Sequence, residues 1–101
     1  MNILGTPLEP CGPGTGYGRD GFCGKRGDDP GSHVACSVVT DDFLDFTGQR
    51  GNDLRTPRAG FQGLKAGDHW CLCAARWWEA HKAGKAPPLV PEATHSSFFS
   101  R

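Results

Sequence analysis

The chain has 101 residues and a mass of 10.8 kDa, with eleven basic residues balanced by eleven acidic ones. Zero net charge, with no basic run longer than Lys25-Arg26, excludes the electrostatic footprint of a nucleic-acid binder and of a polybasic membrane contact. This length supports one small core, and because aliphatic residues are sparse, three Trp and six Phe must supply much of its bulk.

Residues 1–33 hold nine Gly and four Pro, which leaves room for one short strand near residues 2–8 and otherwise dictates turns. This segment is expected to wrap the outside of the domain. Gly12 to Gly18 lacks the third glycine and the strand-to-helix setting of a dinucleotide loop. Gly24-Lys25 is followed by Arg26 rather than Ser or Thr, so the phosphate-binding loop fails as well. The first residues carry neither the basic nor the apolar region of a secretory signal. Apolar stretches fall far short of the roughly 20 residues of a membrane helix. A soluble intracellular protein with no direct membrane insertion is the expectation.

From His33 the texture changes. Val34 to Val39 is β-branched and apolar, the mark of a buried strand. A helix over 41–48 follows: Thr40 suits the N-cap, Asp41 and Asp42 face the first-turn amides, and Val39 can staple to Leu44. Gly48 and Gly51 end it, and Arg50 to Pro57 reads as an ordered turn in which Asn52 and Asp53 bond to nearby amides. Asp68 is placed to cap a long helix over 69–83, with Trp70, Cys73, Ala74, Trp77 and His81 in one stripe and Cys71, Ala75 and Trp78 beside it. The three tryptophans read as core. Gly84 and Pro87-Pro88 stop that helix. Leu89 to His95 reads as a last strand, held at a sheet edge by Pro91. The spacing therefore predicts a single α+β domain: a sheet of about three strands packed by one long and one short helix, with a wrap (1–33), a core (34–95) and a tail (96–101).

Several blocks occur together and in order: Asn2 to Cys11, Arg19-Asp20-Gly21, Gly31 to Cys36, Arg50 to Pro57, Gly63 to Asp68, Trp70 to Trp77 and Glu92 to His95. In this the chain resembles the domain-of-unknown-function 2237 family, small proteins of bacteria and some algae and protists. The resemblance spans nearly the whole chain and implies fold and boundaries, with no assigned activity. Pro91 stands where the family typically has an aliphatic strand residue, and relatives usually continue beyond the position of Arg101.

Five cysteines are an odd number, and their spacing makes no Cys-x-x-Cys of a zinc ribbon or thioredoxin-like site. They read first as reduced, buried small hydrophobes. Two chemical alternatives stand beside that reading. Cys71, near the start of the expected long helix and close to His69, is the best nucleophile or redox candidate. His33, Cys36, Cys71 and His95 have the ligand chemistry for zinc or iron if they converge. Arg19, Arg50, Asn52, Asp53, Thr56 and Arg76 could receive a small anionic ligand, while a structural reading has Arg19 or Arg76 pairing with Asp20 or Asp53 to pin the loops. The leading functional expectation is a non-catalytic binding module or accessory subunit that docks on a larger protein assembly. Its expected aromatic anchors are Tyr17, Phe22, Phe98 and Phe99.

Overall fold

The computed structural model of the chain describes residues 1–24 and 32–99. The Gly24-Lys25-Arg26 motif, Gly31 and the last two residues of the tail thus lie wholly or partly outside the described residues. Within them the order is strand β1 (His33–Val38), helix α1 (Asp41–Gln49), strand β2 (His69–Cys73) and helix α2 (Ala74–Lys82), then two short 3-10 turns at Pro91–Ala93 and Ser96–Phe99. The domain is α+β, as its pattern predicts.

Helix α1 starts as the sequence specifies. Thr40 is extended (φ −122°), and its hydroxyl accepts a hydrogen bond from the Phe43 N–H at 3.1 Å. Asp41 and Asp42 sit in the first turn, against the positive end of the helix dipole. Phe43 and Leu44 are buried, and Val39 belongs to the same apolar cluster. Gly51, at φ +92°, turns the chain out of the helix in a conformation that costs a glycine little.

The long helix over 69–83 is not what forms. Residues 69–73 are extended and pair antiparallel with β1, with Cys36 opposite Cys71 and Ser37 opposite Trp70. Helix begins only at Ala74 and runs nine residues. The segment Trp70 to Ala74 carries apolar residues at every position, so its periodicity fits a helix face and a strand buried on both sides equally well. Pairing with β1 decides between them by satisfying the backbone along its length. Asp68 accordingly caps no helix; its carboxylate accepts from the Lys65 N–H at 3.1 Å and from Lys65 Nζ at 3.3 Å.

The expected sheet of about three strands has two among the described residues. Segments 2–8 and 89–95 contribute single bridges instead, Asn2 to His95 and Ser37 to Leu89. The Val90 N–H donates to Cys36 O and the Val38 N–H to Pro88 O, so the 88–90 stretch runs beside β1. Prolines 87, 88 and 91 have no N–H to extend that ladder, and Pro91 opens a 3-10 turn instead.

The main core gathers Val34, Val39, Phe43, Leu44, Leu64, Leu72, Ala80 and Phe98, with Trp70, Trp77 and Trp78 half-buried against it. Phe98 is therefore not a surface anchor. Its ring stacks on Trp78 at 5.2 Å and meets Trp77 edge-on at 5.3 Å, while Trp77 Nε1 donates to Pro87 O at 3.0 Å.

A second cluster consists of Cys11, Cys23, Cys36, Cys71 and Ala93. Here the expectation of reduced core thiols fails. Cys11 is bonded to Cys36 and Cys23 to Cys71, so the N-terminal wrap is tied covalently to β1 and β2. Cys73 alone remains a thiol, half-buried. Asn2 adds a non-covalent tie that the sequence did not advertise. Its buried amide donates to Thr6 Oγ1, Pro7 O and Glu92 O and accepts from the Leu4 and Thr6 N–H groups.

Candidate functional site

Two loops and the start of β2 build an open cleft. One wall is the segment from Cys11 to Thr15 with Arg19, the other is Gly60 to Leu64, and Asp68, His69 and Trp70 close the space between them. Its volume is about 670 Å³, the size of a small-molecule site.

The first wall holds its shape through its own hydrogen bonds. The Cys11 N–H donates to Gly21 O at 2.7 Å, the Gly21 N–H to Thr15 O at 3.0 Å, and the buried Thr15 hydroxyl to Gly12 O at 2.7 Å. Gly16, at φ +91°, lies so close to the Phe22 carbonyl that a Cβ there would collide with it. The turn ends in Arg19, a non-glycine residue at φ +58°, a strained region for a side-chain-bearing residue. That conformation sets the guanidinium over the Trp70 ring, 5.0 Å from its centroid. Phe61 packs on Trp70 from the opposite wall with ring centroids 5.3 Å apart.

His69 is exposed, and its Nδ1 lies 3.0 Å from Cys11 O. With a proton on Nδ1 donated to that carbonyl, Nε2 is left as an acceptor. A ring nitrogen of His69 and the sulfurs of Cys11 and Cys36 lie within 4.8 Å of one another, as do the sulfurs of Cys11, Cys23 and Cys71. Cys11 belongs to both groups. Such spacing could hold a metal ion only with the disulfides open, because the thiolate is the metal ligand.

The candidates named from sequence are distributed differently. Cys71 is not a free nucleophile: it is bonded to Cys23 and buried. His33, Cys36, Cys71 and His95 do not assemble into one set. Cys36 and Cys71 face each other across the strands, each bonded elsewhere. His33 stacks on Tyr17 and His95 Nδ1 accepts from the Ser97 N–H. The ligand-type groups that do converge are His69 with Cys11 and Cys36, and Cys11 with Cys23 and Cys71; they include the candidates His69, Cys36 and Cys71, and two residues, Cys11 and Cys23, that no sequence signal marked.

The anion set also comes apart. Arg19 lines the cleft, whereas Arg50 and Arg76 both pair with Glu79 of α2, each at 3.2 Å. Asn52 donates to Thr47 Oγ1, and Asp53 accepts from the Arg55 and Thr56 N–H groups. Among the described residues the expected pairs of Arg19 or Arg76 with Asp20 or Asp53 do not form: Arg19 makes no ion pair and Arg76 pairs within α2, while the ties from loop to helix are Arg50 to Glu79 and Arg55 to Asp41 and Asp45 on α1.

These carboxylates give the fold an acid limit. The Thr56 hydroxyl and N–H, with the Arg55 N–H, hold Asp53 below its ordinary 3.8, and the Lys65 N–H does the same for Asp68. A folded-state value below the unfolded one stabilises fully above the unfolded pKa and is lost as pH falls through the folded one. Unfolding midpoints in urea should therefore be flat above the carboxylate range and drop beneath about 3.8. In Asp53→Asn that drop should be shallower; an unchanged acid limb would remove Asp53 from the account.

Fold and site together define a small α+β domain tied by disulfides, with an open cleft beside its cysteine cluster. Over residues 1–101 the chain matches the family model described as an uncharacterized protein conserved in bacteria, DUF2237, and it belongs to that family. Comparison with curated proteins found no match. No helix among the described residues is long and apolar enough to cross a membrane.

Proposed function

We propose that the chain is a non-catalytic binding module, an accessory subunit that docks on a partner protein through the loop of residues 12–22 and the cleft beside it. One observation carries this: Arg19, held by a left-handed backbone over Trp70 at the cleft mouth, makes no ion pair among the described residues. Tyr17 and Phe22, on the same loop, are 43% and 37% exposed. A fixed cation and two exposed aromatic side chains on one loop match the composition of an interface hot spot. It fits an acidic side chain or chain terminus presented by the partner. Phe99, 64% exposed, extends the aromatic surface elsewhere, while Phe98 does not contribute to it.

The test is native purification from the source, followed by size determination. The chain should run well above 10.8 kDa with one copurifying protein at fixed stoichiometry. A variant combining Arg19→Glu and Phe22→Ser should lose that partner while remaining folded, its thermal midpoint falling only by the several degrees that loss of the contact with Trp70 implies. Migration of the unaltered chain only as a free monomer would defeat the docking reading.

A further inference from the structure

We propose that the two disulfides form an exchange relay with Cys11 as its hub, giving the domain a dithiol–disulfide redox activity separate from docking. The geometry sets an order of access. Cys11 lines the open cleft and is 5% exposed, whereas Cys23 is fully buried and Cys71 is 2% exposed. A thiol from solution meets the Cys11–Cys36 bond first, and the Cys23–Cys71 bond lies behind it. Yet the Cys11 sulfur is within 4.8 Å of both sulfurs of that inner pair. The inner bond is therefore within reach of Cys11 where it is shielded from solvent.

The steps balance with an external dithiol as reductant. One of its thiolates attacks Cys11 Sγ, forming a mixed disulfide and releasing the Cys36 thiolate beside the His69 ring. The second thiol of the reductant displaces Cys11 and leaves as a disulfide, so two electrons and two protons enter the outer pair. Cys11, as thiolate, then attacks Cys71 Sγ, forming a Cys11–Cys71 bond and releasing Cys23. Cys36 attacks Cys11, restoring the outer disulfide and releasing Cys71. The net result moves the two electrons and two protons to Cys23 and Cys71 and leaves the cleft-facing pair oxidised again. His69 has a ring nitrogen within 4.8 Å of both outer sulfurs.

This differs from a purely structural role for the disulfides, in which each pair would keep its own partner. The test begins with Cys36→Ser, which leaves Cys11 a thiol next to the inner bond. Held folded at neutral pH, alkylated and mapped by mass spectrometry, this variant should show Cys11 bonded to Cys71 or Cys23 in roughly a tenth to a half of chains, since exchange between similar thiols is near balance. The unaltered protein, treated with limiting dithiothreitol and quenched at intervals, provides the second measurement. Its outer pair should open first, and a Cys11–Cys71 or Cys11–Cys23 species should appear before the fully reduced chain. The relay is overturned if the variant and the time course yield only native pairings. It is equally overturned if the inner pair is reduced before the outer one, or if the chain is purified with all five thiols reduced and one equivalent of zinc.

Discussion

Replacing Cys23 and Cys71 together by alanine is expected to lower folding stability by about 4 kcal/mol, the chain-entropy contribution of a closed loop of this length. The bond joins residues 48 apart in sequence, whereas Cys11 and Cys36 are 25 apart and their loss should cost closer to 3.5 kcal/mol. For a domain whose total stability is of order 5–15 kcal/mol, either loss is a large fraction of the whole. The reason lies upstream in the sequence: a Gly- and Pro-rich wrap contributes few apolar side chains, so covalent ties substitute for burial. Urea denaturation of the two double-alanine variants checks the order of the effects. If both move the midpoint by less than the equivalent of about 0.5 kcal/mol, the disulfides are not what holds the wrap in place.

Phe98→Ala should cost about 3–5 kcal/mol, the range for removing a fully buried phenylalanine. Only 1% of the residue is exposed, and its ring bridges Trp77 and Trp78 on α2 with the C-terminal turn. Two consequences follow from that placement. The loss should appear as a drop in thermal midpoint of well over 10 °C, given roughly 4–8 °C per kcal/mol for a domain of this size. Phe99→Ala, one residue on and largely exposed, should change stability by less than about 0.5 kcal/mol. Equal effects of the two substitutions would mean that the terminal turn does not seal the core.

Much of the local structure was legible because its determinants are neighbours in sequence. Thr40, Asp41 and Asp42 specify where α1 begins, and the β-branched run from Val34 specifies β1. The Asp53 turn closes with the residues just after it. The family could likewise be read from blocks such as Trp70 to Trp77. Segment 70–73 could not be assigned in the same way, since every position is compatible with a helix or a doubly buried strand and only β1, more than thirty residues earlier, breaks the tie.

The candidate site shows the same division more sharply. Arg19, His69 and Cys36 each stood out by chemical type, and sequence determined that the chain carries an odd number of cysteines and no Cys-x-x-Cys pair. Which cysteines pair was beyond it, because five thiols admit roughly fifteen pairing schemes that differ only in how the chain returns on itself. Tertiary structure chose one by placing Cys36 opposite Cys71 in adjacent strands and bringing Cys11 and Cys23 onto them from the wrap. It likewise sent Arg50 and Arg76 to Glu79, His95 to Ser97, and Phe98 into the core, while Phe99 stayed outside. The physical reason is common to all of these. Caps, turns and strand propensity are settled within a few residues by sterics and local hydrogen bonds. Convergence of ligands, thiols and rings depends instead on long-range contacts whose partners are fixed only when the whole core closes.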